Sequence, residues 1–119
     1  MGDIAPLLAS ALLSTIAIEL PLAVLLFGVR RWRAVCVVIL AQVATNPVVE
    51  LLSLTLGWQP YLPPLAAPWI AILLAEVAAT VTEALFYRVS AITDRPWLMS
   101  VALNSISFSL GLALFALAP

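Results

Sequence analysis

The sequence predicts an all-α protein, a four-helix transmembrane bundle with both termini outside and a weak parallel two-helix repeat. Three observations predict it. Of 119 residues, 65% are hydrophobic and only 9% charged, whereas soluble domains are about a quarter charged. Four apolar runs, about 7–28, 34–56, 68–88 and 97–117, each reach the roughly 20 residues that cross a bilayer. The charges are also sorted: all five arginines fall in the first and third connectors or at their edges, while Glu19, Glu50, Glu76 and Glu83 lie inside apolar runs. Residues 1–119 therefore read as a single integral membrane domain.

Each run is expected to be a helix, because a chain in lipid must satisfy its backbone hydrogen bonds internally. The runs are too long and too apolar for barrel strands. The first carries Thr15, Glu19 and then Pro21, whose missing N–H leaves the Ala17 carbonyl without its helical donor. The opening "MGDIAPLLAS" lacks the positive n-region of a signal peptide and has Pro6 where a myristoylation motif needs Ser or Thr, so this run is expected to be retained. "RRWR" (30–33) ends it. The second run puts Gln42, Asn46, Glu50 and Ser53 on one helical face, with a kink expected at Asn46-Pro47. Its Cys36, the sole cysteine, has no internal disulfide partner and reads as a packing residue.

The proline-rich "GWQPYLPPLAAP" (57–68) has the character of an extended connector. In the third run Glu76, Thr80, Glu83 and Tyr87 share a face, and in the fourth Ser100, Asn104, Ser107 and Gly111 do. "RVSAITDRPW" (88–97) joins these two. By the positive-inside rule the first and third connectors are cytoplasmic, with Trp32 and Trp97 at the inner interface and Trp58, Tyr61 and Trp69 at the outer one. Glu19 precedes Arg31 by 12 residues and Asn46 by 27, as Glu76 precedes Arg88 by 12 and Asn104 by 28. That spacing is the repeat, related by an axis along the membrane normal.

Function follows from the four polar faces, which are expected to turn toward one another. There is no basic patch to track a phosphate backbone, so nucleic acid is not expected as a partner. Without histidine there is no imidazole chemistry, no nucleophile motif is evident, and no cofactor is expected. An ionised side chain at the bilayer centre costs about 2.5–3.5 kcal/mol, so four unpaired glutamates would cost on the order of 10 kcal/mol. Within the spans no basic residue neutralises them. They must be protonated, hydrogen-bonded, hydrated or occupied by a cation. At about 1.5 Å per residue, Glu19, Asn46 and Glu76 fall near the midplane, Glu50 toward the outside, and Glu83 and Asn104 toward the inside.

A staggered file of acids suits a small multi-pass transporter or channel that moves protons or cations through a glutamate- and asparagine-lined interior. Glu19 and Glu76 are expected to be the central binding groups, Glu50 and Glu83 to serve access from the two sides, and Asn46, Asn104, Thr80 and the serines of the stripes to hydrogen-bond the carboxylates. A homodimer is expected because four short helices enclose little room. Arginine used without lysine, with abundant Ala and Leu, points to a bacterial inner membrane. The alternative is a non-catalytic accessory subunit of a larger membrane complex, whose polar face meets a partner. An intramembrane enzyme is a third reading; oxygen ligands alone would favour Mg2+ or Ca2+ over Zn2+, and whether the glutamates hold metal or protons is open at this point. The size and Glu19 resemble the small multidrug resistance transporters, but the aromatic-rich third and fourth spans of that family are not evident and the acids here are spread over three helices. No family is assigned.

Overall fold

The computed structural model describes residues 3–56 and 67–117. Within them four helices follow one another: α1 Ile4–Phe27, α2 Trp32–Leu56, α3 Ala67–Ser90 and α4 Pro96–Leu117. All four are long and apolar enough to cross a membrane. The expected connector from 57, with Trp58 and Tyr61, lies outside the described residues as far as 66, as does the Ser53 side chain.

Local chemistry sets the helix ends. Pro6 falls in the first turn of α1, and Pro96 opens α4; the first N–H groups of a helix have no internal partner, so a proline there removes nothing. This lets α1 begin three residues earlier than the apolar run. At its far end Gly28 takes a left-handed conformation (φ 65°), and the Val29 N–H returns to the Ala23 carbonyl at 3.2 Å, a Schellman-type stop. At the end of α3 the same conformation falls on Ala91 (φ 51°), whose N–H reaches the Arg88 carbonyl at 3.2 Å. Pro21 and Pro47 lie inside α1 and α2; α2 runs through the Asn46-Pro47 step without a break in its helical assignment.

The helices pack as a ring, α1 against α2 and α4, and α3 against α2 and α4, with no close backbone approach across either diagonal. The turns 28–31 and 91–95 lie at one end, where Arg30, Arg31 and Arg33 surround a recess shared with Ser90, Ala91 and Ile92. That half of the bundle is filled by an apolar core of Ala23, Val29, Ala34, Val38, Tyr87, Met99 and Leu103. Outside, the helices present apolar side chains such as Leu25, Leu40, Leu74 and Leu114, the surface a lipid environment accepts. Trp32 and Trp97 are exposed at the arginine end, and Trp69 is exposed at the start of α3.

Candidate functional site

Beyond the apolar core the interior turns polar. Glu19 on α1 and Glu83 on α3 are 0% and 1% exposed, and every one of their four carboxylate oxygens accepts a hydrogen bond. The Gln42 side-chain amide donates to Glu19 Oε2 and the Ser107 hydroxyl to Glu19 Oε1 at 2.7 Å. Thr45 donates to Glu83 Oε1 at 2.6 Å and the Asn104 amide to Glu83 Oε2 at 2.7 Å. An acid this deeply buried needs such partners, and the bonds are strongest, about twice a neutral one, when the carboxylate is ionised.

The four bonds form two matched sets. In each hairpin the second helix supplies an amide and, three residues on, a hydroxyl: Gln42 and Thr45 on α2, Asn104 and Ser107 on α4. The amide donates to the glutamate of its own hairpin and the hydroxyl to the glutamate of the other. A three-residue step on a helix keeps both groups on one face, which is why a single stripe serves two carboxylates. Asn104 is locked in orientation because its nitrogen also donates to the Ser100 carbonyl at 2.9 Å, and Ser100 in turn donates to the Thr80 carbonyl at 2.6 Å, tying α4 to α3.

From this layer a cavity of about 480 Å³ extends away from the arginine end, lined among others by Thr15, Asn46, Glu50, Ile72, Glu76 and Leu112. Its volume is in the range of small-molecule sites, and no arginine lines it. Glu50 and Glu76 are partly buried on its wall, and among the described residues their carboxylates have no hydrogen-bond partner. Asn46 donates to the Thr15 hydroxyl at 3.0 Å, while its Oδ1 is buried without a partner among the described residues.

Comparison with protein-family models, with curated proteins and with solved structures finds no match to this chain. Its function must be read from the residues themselves.

Of the residues expected at the site, Glu19, Glu83 and Asn104 meet in one hydrogen-bonded layer, and Asn46, Glu50 and Glu76 lie along the cavity. Thr80 is placed differently: its hydroxyl donates to the Glu76 carbonyl of its own helix at 2.7 Å, and it is not part of the cavity wall. The position matching Glu19 in hydrogen bonding is Glu83 rather than Glu76. The two share a depth because α3 continues to Ser90, two residues past the apolar run; Glu19 then stands eight residues from the end of α1 and Glu83 seven from the end of α3. Two members of the layer, Gln42 and Thr45, had no assigned role, and Ser107 is one of the serines expected to hydrogen-bond the carboxylates. Gln42 and Ser107 stood on the polar stripes; Thr45 was signalled only by its i+3 relation to Gln42. Among the described residues there is no group of three or more side chains suited to hold a metal ion.

Proposed function

We propose that the protein is a small multi-pass membrane transporter or channel that carries protons or cations through this glutamate- and asparagine-lined interior. One observation carries the reading: two buried carboxylates, each served at both oxygens by donors from neighbouring helices, stand at the head of a cavity walled by two further carboxylates that have no hydrogen-bond partner among the described residues. Acids within membrane spans are costly and mark ion or proton paths by default. Glu19 and Glu83 are the central exchanging groups; Glu50, Glu76 and Asn46 line the approach, and Asn104 orients Glu83.

The two buried carboxylates, Glu19 and Glu83, take all their donors from a single copy, which favours a self-contained transport unit over an accessory subunit that waits for a partner. A second copy is not needed to complete the site. The arginine end lies on the cytoplasmic side of a bacterial inner membrane by the positive-inside rule, so the termini and the cavity face outward.

The test is proton flux into liposomes holding the purified protein, read with an entrapped pH dye under an imposed potential. Wild-type flux is expected to fall by at least about 100-fold in Glu19→Gln and Glu83→Gln, a loss in the range seen when a positioned proton-transfer group is removed. Unchanged flux in both variants would refute the reading.

A further inference from the structure

The hydroxyls in the layer have more acceptors than hydrogens. Thr45 Oγ1 lies 2.6 Å from Glu83 Oε1 and 3.0 Å from the Ala41 carbonyl of its own helix. Ser107 Oγ lies 2.7 Å from Glu19 Oε1 and 3.2 Å from the Asn104 carbonyl of its own helix. A hydroxyl has one hydrogen to give and two lone pairs with which to accept, so each can serve only one of these acceptors at a time. The amides differ: Asn104 has two hydrogens and uses them on Glu83 and Ser100 together.

We propose that Thr45 and Ser107 are positioning residues for proton exchange, each turning its hydroxyl between the neighbouring carboxylate and its own helix's carbonyl as Glu83 or Glu19 gains or loses a proton. With Glu83 ionised, Thr45 donates to Oε1. When a hydronium ion from the cavity side gives a proton to Oε1 and leaves as water, the new carboxyl O–H donates to Thr45 Oγ1, and the Thr45 hydrogen rotates to the Ala41 carbonyl. The Thr45–Glu83 hydrogen bond is remade with its direction reversed, and the Asn104 bond to Oε2 persists. Ser107, Glu19 and the Asn104 carbonyl do the same in the other half. Both charge states of each acid are thus fully hydrogen-bonded, and the exchange leaves no buried group orphaned.

The inference rests on the transport reading and narrows its solute. A metal ion at this layer would have to approach oxygens that already face the hydrogens of Gln42 and Asn104, and the latter cannot turn its oxygen inward without losing Ser100. A proton needs only Oε1, the oxygen beside the hydroxyl, and adds there with only a hydroxyl rotation. The layer therefore selects protons over metal cations. Few other titratable groups face it: Glu76 and Tyr87 from α3 beside both acids, Glu50 from α2 farther along the cavity near Glu76, and none from α4, which has no ionisable side chain.

The experiment compares Thr45→Val, Thr45→Ser, Ser107→Ala and Ser107→Thr with wild type in liposomes. It reads proton flux and, in infrared difference spectra between high and low pH, the C=O stretch of the protonated carboxyl groups. The expected result is an about tenfold loss of flux in Thr45→Val and in Ser107→Ala, the factor that goes with one ordinary hydrogen bond. A shifted carboxyl band should accompany it, and the hydroxyl-keeping variants should restore both. External sodium or potassium should leave the flux unchanged. If Thr45→Val does not fold, Ser107→Ala, which removes one oxygen at the cavity wall, carries the test alone. Wild-type flux with neither flux nor band altered in the hydroxyl-deleted variants overturns the inference and leaves transport standing; inhibition by sodium or potassium overturns the proton selectivity. A band that shifts in a protein without wild-type flux upholds the hydroxyl exchange and overturns transport, and neither flux nor shift overturns both.

Discussion

Ser107 on the last helix donates to Glu19 on the first, at 2.7 Å and across 88 residues of sequence. This bond closes the ring of four helices at the level where the interior changes from apolar to polar. Its loss should be felt as stability. Glu19→Ala is expected to take the acceptor from the Gln42 amide, while Ser107 keeps only the Asn104 carbonyl of its own helix, and a buried donor without a partner costs about 1–3 kcal/mol. Equilibrium unfolding in mild detergent should find Glu19→Ala clearly less stable than Glu19→Gln, which can still accept from one donor.

The pairing of Asn104 with Glu83 should behave as a unit. Asn104→Leu alone strands a buried carboxylate oxygen, and Glu83→Leu alone strands one hydrogen of the Asn104 amide, Thr45 still having the Ala41 carbonyl. The double variant removes the amide and the acid together. Its destabilisation is expected to be smaller than the sum of the singles by roughly 0.5–3 kcal/mol, the coupling typical of residues in one network. Strict additivity in a double-mutant cycle would contradict the hydrogen-bonded layer.

Much of this arrangement was legible before any coordinates. Hydropathy located four helices to within a few residues, because lipid admits no other use for such runs, and the stripe periodicity put Glu19, Glu83, Asn104 and Ser107 on inward faces. Depth was less legible. It depended on where α3 ends, and that is decided by Ala91 accepting a left-handed backbone, a choice that no glycine announces. Thr45 was missed for a related reason: stripe counting by fours from Gln42 leads to Asn46, whereas the residue that reaches across to Glu83 sits one position earlier.

Glu50 and Glu83 should respond unequally to neutralisation. Glu50 is partly buried on the cavity wall, without a side-chain hydrogen bond among the described residues, so Glu50→Gln is expected to change stability by less than about 0.5 kcal/mol. Glu83→Gln replaces an acceptor of two donors with a group that can accept at only one end, and a loss of about 1–3 kcal/mol is expected. Parallel thermal unfolding of the two purified variants checks the contrast.

The Tyr87 hydroxyl is buried at the top of the apolar core near the Gln42 amide, but makes no hydrogen bond of good geometry among the described residues. Removing an unsatisfied buried polar group while keeping the ring should not harm the fold. Tyr87→Phe is therefore expected to be neutral or stabilising, by up to about 1 kcal/mol, in the same unfolding assay. A marked destabilisation would mean that the hydroxyl has a partner in solution.

The two left-handed residues give a last pair of expectations. A methyl group added at Gly28 meets nothing within 4 Å, so the cost of Gly28→Ala is conformational alone, about 1–2 kcal/mol. Ala91→Gly relieves that same conformation but adds freedom to the unfolded chain, so its net effect should stay within about 1 kcal/mol. Ala91→Val should be worse than either, since a branched side chain tolerates positive φ least.

The division of the bundle into an apolar half and a hollow half also has a consequence for voltage. In a membrane, water entering the cavity would bring the electrical potential of the side to which it opens down to the Glu19 and Glu83 layer, so that the potential falls mainly across the filled half. From Gln42 to Arg33 that half is nine residues of α2, or about 14 Å at 1.5 Å per residue, about half the thickness of a hydrocarbon core of about 30 Å. A charge moving from the layer to the arginine end would cross nearly the whole field, worth about 2.3 kcal/mol for each 100 mV. The same charge would enter the layer from outside almost without feeling it.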